Sequence, residues 1–166
     1  MTTPAATPAA SARDLLRHTV ATLAYRGGKA VRGAPVHFAD FRLREGSRTP
    51  AEILAHVGDL LEWGLSLARG EHRWQDSAPL EWEREVERFH ATLARLDARL
   101  AESEPLRTSA EQLFQGPIAD ALTHVGQLTM LRRLAGSPVR GENYATADIV
   151  AGRVGAEQSA PRVEFG

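Results

Sequence analysis

Apolar residues recur at helical spacing in four segments of this chain, and no segment carries the sustained alternation of a half-buried strand. The first segment places Leu15, Leu16, Thr19, Val20 and Leu23 on one stripe. Ser11 and Asp14 form a capping box ahead of it, and Gly27-Gly28 predicts its end. The second segment opens on Thr49, Pro50 and Glu52, an N-cap, a first-turn proline and the return half of a capping box. Ile53, Leu54, Val57, Leu60, Leu61 and Leu67 make its buried face, and Gly70 its stop. Ser77, Pro79 and Glu81 open the third. There Trp82, Val86, Phe89, Leu93, Leu96 and Leu100 alternate steps of four and three, the seam of a bundle helix. A short helical turn over Ser109 to Phe114 precedes the fourth, which Gly116-Pro117 restarts. Ile118, Leu122, Val125, Leu128, Leu131 and Leu134 line that helix. Arg132 and Arg133 lie in its last turn, where the helix dipole favours cations, and Gly136 and Pro138 end it.

These elements predict an all-α four-helix bundle. The long irregular connection from Lys29 to Arg48, pinned by His37, Phe38 and Phe41, implies a topology other than simple up-down-up-down, with the first two helices running parallel. After Gly136 the chain is irregular. Tyr144, Ile149, Val150 and Val154 are placed over the bundle, with a short helix near Thr146 to Val150. Met1 to Ala10 holds little beyond Thr, Pro and Ala. It reads as a disordered lead-in without the features of a signal peptide, leaving 11–166 as one domain.

Composition narrows the chemistry. With 166 residues, no cysteine and six histidines, the chain excludes disulfide scaffolds, thiolate metal sites and cysteine nucleophiles. A net charge of -1 argues against a nucleic-acid partner, and the lack of any apolar run near ~20 residues argues against a membrane span. A cytoplasmic location follows as an expectation. Lys29 is the only lysine, which reads as coding bias.

Two helices share a pentapeptide pattern, His56-Val57-Gly58-Asp59-Leu60 and His124-Val125-Gly126-Gln127-Leu128. A glycine inside a helix costs about 1 kcal/mol against alanine, so the pair suggests close helix approach or room for something bound, unless it is chance. His56 shares a face with Ile53 and Leu60. Asp120 and His124 stand one turn apart on one face. Two imidazoles and a carboxylate on facing helices make a candidate metal site with open positions. The plainer alternatives are a core histidine with a hydrogen-bond partner, a surface Asp–His pair, and a carboxylate serving the helix dipole. Glu52, one turn before His56, is a candidate supporting partner that its cap also explains. His90 falls at the seam's edge, and His18 and His72 on the surface. The residues assign no catalytic acid or base.

The stretch Thr49-Pro50-Ala51-Glu52-Ile53-Leu54-Ala55-His56, the Trp82 to Leu100 helix and the stretch Gly116-Pro117-Ile118-Ala119-Asp120-Ala121-Leu122-Thr123-His124-Val125-Gly126-Gln127-Leu128 together resemble the DinB-like family of small metal-binding four-helix bundles. The resemblance implies a metal triad in which His56 and His124 match two of three histidine ligands. Asp120 stands where the family has the remaining histidine. It further implies a divalent ion (Zn, Ni, Fe or Mn), a homodimer, a stress-related setting, and a metal-dependent transferase or hydrolase that uses a low-molecular-weight thiol or water. The departure at Asp120 equally admits a non-catalytic bundle that binds a metal or small molecule, and a purely structural bundle with a satisfied polar core.

Overall fold

The structure is a computed structural model that describes residues 11–165. The expected lead-in at 1–10 lies outside the described residues. Three helices, α1 (Ala12–Val31), α2 (Pro50–Ala68) and α3 (Trp82–Ala101), pack with a fourth composed of α4 (Ala110–Leu113), a π-helical turn (Phe114–Ile118) and α5 (Ala119–Leu134). The chain is thus an all-α four-helix bundle with an irregular C-terminal segment. That segment contains a 3-10 turn at Tyr144–Thr146 and the minimal antiparallel pair β1 (Gly141–Glu142) and β2 (Glu164–Phe165). Among the described residues no helix is long and apolar enough to cross a membrane.

The caps at Ser11 and Thr49 form as full capping boxes, and the second helix buries all six of its expected apolar residues. The opening of α3 differs from expectation. Ser77 caps nothing there. Its N–H and hydroxyl donate to the two oxygens of Asp59, at 2.7 and 2.8 Å, and helix begins only at Trp82. A buried carboxylate on α2 outcompetes the local cap. Leu15 and Leu134 also leave their expected stripes. They are 63% and 50% exposed, in the first turn of α1 and the last of α5, where the bundle ends.

Gly27 and Gly28 do not stop α1, which continues to Val31. A Cβ at Gly27 would lie 2.5 Å from the Phe89 ring, so the glycine is there to let α3 approach. Gly58 serves a similar end, since a Cβ there would meet the Arg88 guanidinium at 3.0 Å. Gly126 faces open space. Gly116-Pro117 does not restart the chain either. The fourth helix runs through it, because Pro117 sits inside the π turn, where the wider ring accommodates a residue with no N–H to give.

The contacts fix the topology. Arg17 pairs with Asp97 while Gly27 meets Phe89, so α1 and α3 are antiparallel. Asp59 pairs with Arg88 and Ala68 with Arg99, so α2 and α3 are parallel. His56 faces Asp120 while Gly64 abuts Pro117, so α2 and α5 are antiparallel. It follows that α1 and α2 run in opposite directions, not parallel. They lie on a diagonal of the bundle, and among the described residues no Cα of one comes within 8 Å of a Cα of the other. The long first connection crosses one end of the bundle, anchored by the fully buried Phe38, with His37 exposed. The segment that returns along the bundle is 69–81, because it joins two parallel helices.

Two arginines close the ends. Arg132 donates to the carbonyls of Ala30, Arg32, Gly33 and Ser137. Arg99 donates to those of Ala68 and Pro105. The C-terminal segment is clasped to α1 by Lys29, which pairs with Glu142 and Glu164 at 2.8 Å each, and by the Tyr25 hydroxyl, which donates to Glu142 at 2.7 Å. Val154 enters the core and Ile149 packs on it, but Val150 is exposed. The predicted helix at 146–150 is replaced by the 3-10 turn, whose start Asn143 caps through Ala145 N–H.

Because Gly27 and Gly126 are both helical but differ in surroundings, alanine separates them. Gly27→Ala is expected to destabilise by roughly 1–3 kcal/mol through overpacking against Phe89. Gly126→Ala is expected to stabilise by about 0.5–1 kcal/mol. Urea unfolding of the two variants checks both signs.

Candidate metal centre

The antiparallel pairing of α2 and α5 sets His56 against the turn of α5 that carries Asp120 and His124. One ligand atom from each residue lies within 4.8 Å of the other two, so the three residues singled out in the sequence form a group able to hold a metal ion. The imidazole rings of His56 and His124 meet edge to face with centroids 4.7 Å apart. Asp120 reaches both: its Oδ2 lies 3.9 Å from His56 Nε2 and its Oδ1 lies 3.2 Å from His124 Nδ1.

The hydrogen bonds bear on which lone pairs are free. His124 Nδ1 lies 2.9 Å from the Asp120 carbonyl oxygen. A carbonyl accepts only, so Nδ1 carries the proton and Nε2 keeps its lone pair. A ring N–H tied to a carbonyl is also the usual way to orient a ligating histidine. His56 is less satisfied. Its Nδ1 is buried without a hydrogen-bond partner, and its Nε2 is too far from Asp120 for a hydrogen bond. A buried ring nitrogen without a partner is costly, and the other nitrogen, Nε2, is the one turned toward Asp120. Burial holds the His56 pKa below the ordinary histidine value. The neighbouring His124 and the Arg48 guanidinium push the same way, and Asp120 and Asp59 oppose them. The neutral form, which is the ligating form, is therefore the resting one near pH 7. Two nitrogens and one oxygen, with no sulfur, suit Zn, Ni, Fe or Mn.

The returning segment 69–81 packs against His56. Trp74 sets its ring edge to face with His56 at 5.7 Å and with Trp63 at 5.9 Å. Ser77 then anchors the segment on Asp59, which is 1% exposed and also paired with Arg88. Beside His56 opens a cleft of about 360 Å³, lined among others by Arg42, Arg48, Glu52, Asp76 and Ser77. The Asp120 side chain stays 47% exposed, so the group is reachable from solvent.

Sequence reasoning missed Trp74, Asp59 and Arg88. Trp74 stands in a polar stretch without period, and a buried Asp–Arg pair between helices has no local signature. Glu52 does not support His56. Its carboxylate accepts from Thr49 N–H at 2.7 Å and pairs with Arg42 at 3.4 Å. His90 is set against Val154, its Nδ1 3.3 Å from that residue's carbonyl, while His18, His37 and His72 are exposed. No family model, curated protein or solved structure matches the chain.

The pKa of His56 yields a signed test. A histidine whose folded value lies below its unfolded value of about 6.5 binds its proton first in the unfolded chain. Its neutral burial therefore stops favouring the fold as pH falls from about 6.5 toward the lowered value. In the metal-free protein, an NMR titration is expected to show His56 protonating below the ordinary midpoint. Arg48→Ala is expected to raise that midpoint by removing a nearby cation. A wild-type midpoint at about 6.5 contradicts this description.

Proposed function

We propose that the chain is a divalent-metal-dependent enzyme of the DinB-like kind, a transferase or hydrolase in which His56, Asp120 and His124 are the metal ligands. The observation that carries this reading is the convergence of those three side chains, each of which brings one ligand atom within 4.8 Å of the other two. A divalent ion held there supplies Lewis acidity, which lowers the proton affinity of a water or a low-molecular-weight thiol so that either becomes a nucleophile near neutral pH. The protein's own residues do the rest. His124 is aligned by its bond to the Asp120 carbonyl. His56 is kept neutral by burial. Trp74 packs edge to face on His56 and is backed by Trp63, and the cleft beside His56 admits the second reactant. Because the chain has no cysteine, any thiol in the reaction belongs to a substrate.

A second reading is a non-catalytic bundle that binds a metal or small molecule. It is favoured by the contact between Asp120 and His124, which already engages the carboxylate within its own helix. Ligand-induced thermal shifts that persist after chelation support this alternative.

Metal loading decides between them and a purely structural core. Chelated protein titrated with Zn, Co, Ni or Mn is expected to take up the ion stoichiometrically. At a free ion concentration ~100 times Kd, the stabilisation is about 2.7 kcal/mol. His56→Ala and His124→Ala are expected to abolish both effects, and Asp120→Asn to weaken them. Absence of uptake under metal-replete conditions, or equal uptake by the histidine variants, removes the metal reading.

A further inference from the structure

The cleft beside His56 carries an arginine that its surroundings do not use. Arg42, on the same wall, is committed, since it pairs with Glu52 at 3.4 Å and donates to the Ser47 carbonyl. Arg48 makes no ion pair and no side-chain hydrogen bond among the described residues, although it lines the same space as His56. The side chain is exposed and opens onto the cleft that the His56 imidazole also lines. Asp76, also on the cleft wall, likewise lacks an ion-pair partner among the described residues. A volume of about 360 Å³ lies at the small end of the range for ligand pockets.

A guanidinium presents its donors as a planar fork that matches a carboxylate. The cleft is not strongly electropositive, because Glu52 and Asp76 stand beside the two arginines. A dianion such as a phosphate monoester would meet those carboxylates with its second charge, whereas a monoanion would not. We infer that this cleft is the substrate subsite of the metal centre, and that it takes a small molecule with a single carboxylate, which Arg48 binds while the reacting end lies at His56, Asp120 and His124. The inference rests on the metal reading given above and adds the substrate class to it.

The test uses the full chain loaded with cobalt(II), with uptake measured first on the same samples. The probes are the monohydroxamate of succinic acid, its methyl ester, and the analogue with a phosphonate in place of the carboxylate, each titrated calorimetrically. All three carry the same metal-binding hydroxamate and differ at the remote end. The carboxylate probe is expected to bind roughly tenfold more tightly than the ester, the scale of a charge-assisted hydrogen bond. Arg48→Ala is expected to erase that difference and leave the ester unchanged, and Arg48→Lys to restore part of it. Asp76→Asn is expected to improve the phosphonate most. Equal binding of carboxylate and ester, or an Arg48→Ala effect that weakens both alike, overturns the subsite. A preference for the phosphonate overturns the carboxylate class. Failure to take up cobalt overturns the metal reading and the subsite together. Uptake without discrimination overturns the subsite alone.

Discussion

Where α1 ends, its last carbonyls have no partner within the helix. The guanidinium of Arg132, 5% exposed, meets that need by donating to Ala30, Arg32 and Gly33 and, on its other edge, to Ser137. Burial lowers its pKa, yet an arginine stays charged under any condition in which the protein folds, so the donors are always present. A cation is also what the negative end of a helix dipole favours. This one side chain ties the end of α1, the crossing connection and the end of α5 into a single knot. Arg99 does the equivalent at the other end for the last carbonyl of α2. Between α2 and the fourth helix themselves the register is marked by Gly64 against Pro117, about two turns along α2 from where His56 faces Asp120. A slip of one helical turn, about 5.4 Å, would carry His56 out of reach of Asp120 and His124.

The fold was legible wherever the signal was local. Thr49, Pro50 and Glu52 announce α2, and the steps of four and three from Trp82 to Leu100 announce α3, because a cap and a stripe depend only on neighbouring residues. The triad was legible for the same reason. Asp120 and His124 share a face by spacing, and His56 lies on the inward side of a helix that must face another. What was not legible depends on residues distant in sequence. Gly27-Gly28 reads as a stop until Phe89 is brought against it, and Ser77 reads as a cap until Asp59 takes its hydroxyl. Pro117 reads as a beginning because the π turn that absorbs it is visible only once Gly64 is seen under the proline ring. Arg132 reads as a companion of its own helix's dipole, whereas most of its partners lie at the end of α1 and just beyond it. The direction of α2 relative to α1 is set by such contacts and not by the length of the connection between them.

The parallel pairing of α2 and α3 obliges the chain to travel back along the bundle before α3 can begin. The return path crosses the face of α2 that bears His56, and there the protein spends a tryptophan and a buried carboxylate on holding it in place. The packing of Trp74 on His56 is thus a by-product of helix order. The same residues that let α3 start where it does, Ser77 on Asp59 and Arg88 beneath them, also set how close Trp74 stands to His56.

Lys29 looked like a relic of coding bias, but it is the hinge pin of the C-terminal clasp. Its ammonium is held by Glu142 and Glu164. Burial pulls its pKa down, the two carboxylates outweigh that, and the net shift is upward. A protonated, shielded amine is a poor nucleophile, and this is the one ε-amine in the chain. The folded protein therefore offers acylating reagents no free lysine at all. Side-chain amine reactivity becomes a direct gauge of how often the C-terminal segment lets go of the bundle.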